Sequence, residues 1–110
     1  MQYLVCNIAL ILIYYRNIIL FTEAGYPPEK SFKLFERKAE CHEAIFNEKC
    51  LEPDPTFEDG KAAVTAYAEA IKTVSKSNLS KEKTVAFIRG TKEKIEVINR
   101  RIKSVLETKS

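Results

Sequence analysis

The sequence predicts an all-α fold: an antiparallel three-helix bundle in residues 25–110, preceded by a hydrophobic N-terminal helix in residues 1–24. The chain of 110 residues contains three Gly, four Pro and no Trp, and 30% of its residues are charged. This composition argues against a loop-rich β fold and against disorder. From Ser31 to Thr108, apolar residues recur at spacings of three and four, the period of an amphipathic helix. A chain of this length supports one small domain.

Residues 1–24 are the most apolar part of the chain. In the 19 residues Tyr3–Phe21, only Asn7, Arg16 and Asn17 are strongly polar. A helix of that length extends about 28 Å, which is enough to cross a bilayer. Arg16 inside such a span would cost a few kcal/mol unless its side chain reached the interface. The segment is therefore expected to be a signal peptide or a membrane anchor.

The sequence leaves the choice between a signal peptide and a membrane anchor open. Thr22 and Ala24 place small residues where a signal peptidase needs them, directly before the turn-forming run 25–28. A secretory signal normally begins with a basic region, however, and no Lys or Arg precedes Arg16. An uncleaved transmembrane helix and a buried core helix are the alternatives. The expected location is thus secreted or periplasmic, or anchored in a membrane.

The first of the three predicted bundle helices runs from Ser31 to Lys49. The Ser31 hydroxyl can cap its N-terminus, and Pro53 and Pro55 follow its end. Its apolar stripe consists of Phe32, Phe35, Ala39, His42 and Phe46.

A second helix is expected from Thr56, since Thr56 and Asp59 have the form of a capping box, and it should end near Lys76. Its stripe comprises Phe57, Val64, Tyr67, Ile71 and Val74. A third helix, from about Lys81 to Thr108, carries the clearest stripe, formed by Val85, Ile88, Ile95, Ile98, Ile102 and Val105. Short connections between the three helices favour antiparallel packing.

Cys41 and Cys50 are the two cysteines of the bundle, and Cys6 lies in the apolar segment. Nine residues apart on one continuous helix, their Cα atoms would be about 13 Å apart and their side chains on opposite faces, too far for a disulfide. A Cys41–Cys50 bridge therefore requires the helix to end near Asn47 and an oxidising compartment. The alternative is a pair of reduced cysteines.

Neither a metal site nor a catalytic site is predicted. Cys41 and His42 are adjacent and point in different directions around a helix, and the spacing of a zinc or haem motif is absent. His42 is expected to be a partly buried structural residue. No phosphate-binding glycine loop occurs in the sequence. We therefore expect no cofactor and no enzymatic activity, with a thiol-dependent reaction at Cys41 or Cys50 as the minor alternative.

Charge is distributed unevenly along the chain. Residues 81–110 contain nine basic side chains against four Glu, whereas residues 25–80 contain eight basic against ten acidic. Arg100, Arg101 and Lys103 are therefore candidate contacts to an anionic partner. The alternative is an ordinary solvated helix face. Phe87 is the one aromatic residue of this helix, so specific recognition of nucleic acid is not expected.

These observations predict a small exported or membrane-tethered helical protein that acts as a non-catalytic binding module. Its partner would be a protein or an anionic membrane surface. The alternative is a coiled-coil structural or assembly subunit, a homo-oligomer in which the stripe of Ile88, Ile95 and Ile102 packs against a second copy.

Overall fold

The computed structural model describes residues 2–23, 25, 27–53 and 55–109, with side chains described for 9–20, 25, 27–53 and 55–108. These residues form four helices and no strand, which confirms the all-α prediction. The helices are α1 (Gln2–Glu23), α2 (Pro28–Lys49), α3 (Glu58–Val74) and α4 (Lys81–Lys109).

Helix α2 begins three residues earlier than predicted, and Ser31 does not cap it. Pro27 occupies the N-cap position in an extended conformation, and Pro28 follows as the first helical residue. Proline is well suited to this position because its fixed φ is helical and its missing N–H would have no partner there. The preceding turn contains Gly25 at φ 71°, a left-handed conformation that favours glycine.

The predicted capping box of α3 is wrong. Phe57 is the N-cap residue and makes no side-chain capping bond. Asp59 instead accepts hydrogen bonds from the α2 side chains of His42 and Lys49. At α4, Ser80 does act as a cap, because its Oγ accepts the backbone N–H of Lys83 at 3.3 Å.

The main core lies where α2, α3 and α4 meet. Its buried members are Ala39, Phe46, Ala63, Ala66, Tyr67 and Ile98. The alanines of α3 leave room for the large rings of Phe46 and Tyr67, both fully buried. Ile95 and Ile102 pack against this cluster. Most of the isoleucine stripe of α4 therefore contacts the chain's own core.

Side-chain pairs show which parts of the helices meet. Late residues of α2 meet early residues of α3, as in the pair of Lys49 and Asp59, and Glu43, nearer the middle of α2, meets Tyr67, nearer the middle of α3. An early residue of α2 meets an early residue of α4, because the rings of Phe32 and Phe87 have centroids 4.9 Å apart. A late residue of α2, Asn47, accepts a hydrogen bond from the late α4 residue Arg101 at 2.9 Å.

Helix α1 packs on the opposite side of α2. Ile11 is buried against Cys41 and Ile45, with Tyr14 beside them. Tyr15 lies one turn along, with its ring under the Lys38 ammonium at 3.5 Å. One side of α1 is thus interior packing. Over the residues that the structure describes, none of the helices has the length and apolar character needed to cross a bilayer.

Candidate functional site

The most polar part of the interior joins α2 to α3 through Asp59. His42 Nδ1 lies 3.0 Å from Asp59 Oδ1, and Lys49 Nζ donates to Asp59 Oδ2 at 2.9 Å. Burial alone would raise the pKa of Asp59, but the hydrogen bonds from Lys49 and His42 outweigh it, and the net effect holds the pKa below its ordinary value. The same hydrogen bond raises the pKa of Lys49. Asp59 is therefore a carboxylate at neutral pH.

His42 is 8% exposed, as expected of a structural histidine. The edge of its ring contacts Tyr15, with centroids 6.3 Å apart, and its Nε2 is buried without a hydrogen-bond partner among the described residues. The described part of the chain contains no group of three or more His, Cys, Asp or Glu side chains that would hold a metal. The hydrogen bonds of His42 and Lys49 to Asp59 connect α2 to α3.

A second polar contact crosses the same helix pair. The Tyr67 hydroxyl donates to Glu43 Oε1 at 2.7 Å. Burial, followed by the hydrogen bond to Glu43 and by nearby carboxylates, raises the pKa of Tyr67 far above its ordinary value. Tyr67 therefore stays a neutral hydrogen-bond donor, and its role is to satisfy a carboxylate at the edge of the core.

The two candidate disulfide cysteines are free thiols in this structure. Helix α2 continues unbroken past Cys41 to Lys49, and Cys50 follows as its C-cap, so the helix ending that a bridge requires is not formed. Burial, and secondarily the charge of Glu40, raises the pKa of the Cys41 thiol. A nucleophilic cysteine needs the opposite shift.

We expect iodoacetamide at neutral pH to label Cys50 at least tenfold faster than Cys41, because Cys41 is buried under α1 and its thiolate fraction is reduced. Peptide mass spectrometry separates the two sites, and labelling in denaturant provides the control in which both rates become equal. Faster labelling of Cys41 in the folded chain would support the thiol-dependent alternative.

The three basic residues singled out in α4 do not form one surface. Arg100 and Lys103 are exposed, whereas Arg101 is half-buried and donates to Asn47 on α2. A shallow depression at the start of the same helix is lined by Lys81, Glu82, Val85, Ala86 and Arg89. These five residues lie on consecutive turns of one helix, and none of them is buried. The depression is therefore open and not an enclosed binding site.

Exposed aliphatic side chains line the side of α1 that faces away from α2, here called the α1 outer face. It consists of Leu10, Leu12, Ile13, Arg16, Ile19 and Leu20. Its five aliphatic side chains are 41% to 65% exposed. Arg16 is exposed as well and stands three or four positions from Leu12, Ile13, Ile19 and Leu20, so it lies at the centre of this face. Contiguous exposed apolar surface of this kind marks an interaction site.

Comparison with known proteins supplies no precedent for this surface. Protein-family models, curated proteins and solved structures all fail to give a significant match to the chain.

Proposed function

We propose that this chain is a small non-catalytic binding module that attaches to a membrane surface through the α1 outer face. Helices α2–α4 form its body in water, as an antiparallel three-helix bundle that α1 precedes. The observation that carries the proposal is the exposure of Leu10, Leu12, Ile13, Ile19 and Leu20 on a helix whose other side is packed. These side chains point away from α2 and are exposed, yet they are apolar.

The form of this face supports attachment at the interface. It is a convex ridge of aliphatic side chains along about three helical turns, which suits insertion among lipid acyl chains at the headgroup boundary. Arg16 limits the depth, because an arginine carried into the hydrocarbon costs a few kcal/mol, whereas at the boundary its long side chain reaches the headgroups. We therefore propose a location at a membrane surface, on whichever side of the membrane the chain resides.

Replacing the two most exposed aliphatic residues of the face tests this function. We expect Leu12→Asn with Ile19→Asn to weaken sedimentation with vesicles of phosphatidylcholine and phosphatidylglycerol at least tenfold, since each aliphatic side chain contributes on the order of 1 kcal/mol when its exposed part is buried. Both residues point to solvent, so the fold measured by circular dichroism should be unchanged.

The matched control is Val85→Asn with Val97→Asn on α4, where both valines are exposed to a similar degree. This variant should sediment with vesicles as the unmodified chain does. If the unmodified chain stays in the supernatant, or if both double variants lose binding equally, the α1 outer face is not a membrane-attachment surface.

A further inference from the structure

Three of the five basic residues of α2, Lys30, Arg37 and Lys38, lie on or beside the side of the helix that α1 covers. Cys41 and Ile45 mark the side of α2 that α1 covers. Arg37 and Lys38 stand four and three positions before Cys41, about one helical turn away. They therefore lie on either side of the strip that α1 covers. For Lys38 the contact is direct, with its ammonium 3.5 Å from the centroid of the Tyr15 ring.

Lys30 extends this arrangement by two turns. It lies seven residues before Arg37, on the same strip of the helix, and it is exposed. Arg37 forms an ion pair with Glu40 at 3.2 Å, but both side chains are well exposed, at 63% and 37%. A surface pair of this kind contributes little and leaves the guanidinium free to exchange partners.

The acidic side chains of α2 lie mostly on another side. Glu29, Glu36 and Glu43 each stand three positions before a residue that faces α3 or α4, namely Phe32, Ala39 and Phe46. The hydrogen bond from Tyr67 to Glu43 shows this side turned toward α3. Glu48 and Glu40 are exceptions, because Glu48 continues the row of Cys41 and Ile45 and Glu40 pairs with Arg37. Lys30, Arg37 and Lys38 thus lie on or beside the side of α2 that α1 covers, away from Glu29, Glu36 and Glu43.

We infer that the membrane surface is anionic and that its phosphate headgroups are bound by a basic rim made of Arg16, Lys30, Arg37 and Lys38. This inference rests on the proposed function and adds the chemistry of the lipid. Arg16 places one cation within the apolar ridge, and Lys30, Arg37 and Lys38 place others behind the ridge, at the junction of α1 and α2, where headgroups lie once the ridge is inserted among the acyl chains. Basic residues at the surface of an anionic membrane each strengthen binding by about fivefold, an effect that salt screens.

The test compares two triple variants that remove the same charge. The rim variant is Lys30→Gln, Arg37→Gln and Lys38→Gln. The control is Lys92→Gln, Arg100→Gln and Lys103→Gln, three exposed residues of α4. Sedimentation is measured with vesicles of phosphatidylcholine alone and of phosphatidylcholine with phosphatidylglycerol, at low and high salt, after circular dichroism has shown that both variants are folded.

The unmodified chain and the α4 variant should prefer the anionic vesicles by about 600-fold at low salt, since four rim residues each contribute about fivefold, and the preference should fall as salt is added. The rim variant keeps Arg16 and should retain a preference of only about fivefold. Equal binding of the unmodified chain to both vesicles overturns the anionic inference and leaves the proposed function standing. Loss of the preference in the α4 variant alone overturns it also, because the contact would then be on α4. Absence of binding to either vesicle defeats the proposed function itself.

Discussion

Asp59→Asn is expected to lower the free energy of unfolding by about 2 kcal/mol, the cost of removing the charge from a partly buried, charge-assisted hydrogen bond. The substitution preserves the shape of the side chain but leaves Lys49 without its counter-ion and weakens the contact to His42. Lys49 retains access to water, with 30% of its side chain exposed, so the loss is smaller than for a fully buried pair.

Glu58→Gln is the matched control for this substitution. Glu58 precedes Asp59 in the first turn of α3, so both changes remove one negative charge near the helix N-terminus, a contribution of a few tenths of a kcal/mol. Urea unfolding followed by circular dichroism measures both. Equal destabilisation by the two variants would show that the network across α2 and α3 contributes nothing beyond the helix dipole.

The same carboxylate predicts a pH dependence. The pKa of Asp59 is lower in the folded chain than in the unfolded chain, so the unfolded state takes up protons first as the pH falls. The contribution of the Asp59 carboxylate to stability is present above the ordinary Asp pKa of about 4. It is lost as the pH drops through the pKa that Asp59 has in the folded chain. Stability of the unmodified chain should therefore fall more steeply below pH ~4 than that of Asp59→Asn, and parallel curves would contradict this assignment.

The second large effect is expected at Gly60, where a methyl group has no room. A Cβ at this position would lie 2.8 Å from Cδ1 and 2.9 Å from Cε1 of Phe46. The Phe46 ring is fully buried and cannot move away without disturbing the main core. Gly60→Ala should therefore destabilise the chain by about 2 kcal/mol, even though alanine is the better helix former.

Gly90→Ala gives the opposite expectation in the same chain. A Cβ at Gly90 meets no atom within 4 Å, and the residue lies inside α4. The substitution should stabilise the protein by about 0.5–1 kcal/mol through helix propensity alone. Thermal unfolding of the two variants side by side separates close packing from propensity. A stabilising effect at both positions would mean that α2 and α3 do not approach each other as closely as described.

The helices were predictable because their signal is local. The spacing of Phe32, Ala39 and Phe46 predicts a helix and the side that it buries, and all three residues are buried. The role of Asp59 was not predictable in this way. Its partners lie 10 and 17 residues away, and nothing within the first turn of α3 distinguishes a capping carboxylate from one that α2 has already engaged.

The α1 outer face was likewise predictable only in part. Hydropathy identifies residues 1–24 as unusually apolar, but it gives all sides of that helix equal weight. Which side is covered depends on Ile11 meeting Cys41 and Ile45, a contact between segments some 30 residues apart in sequence. In the sequence, Arg16 is an obstacle to membrane insertion. Its central position on the uncovered side depends on which side of α1 is packed, and the sequence does not show that.

The chain contains no Trp, so a single introduced Trp reports directly on the central claim. In the variant Ile13→Trp, the indole would stand on the α1 outer face, and in the control variant Val97→Trp it would stand on α4; both original side chains are about half exposed. Anionic vesicles that carry brominated acyl chains should shift the emission of the first variant to the blue and quench it, while the second remains unchanged. If the vesicles neither shift nor quench the emission of the Ile13→Trp variant, attachment through this face is contradicted.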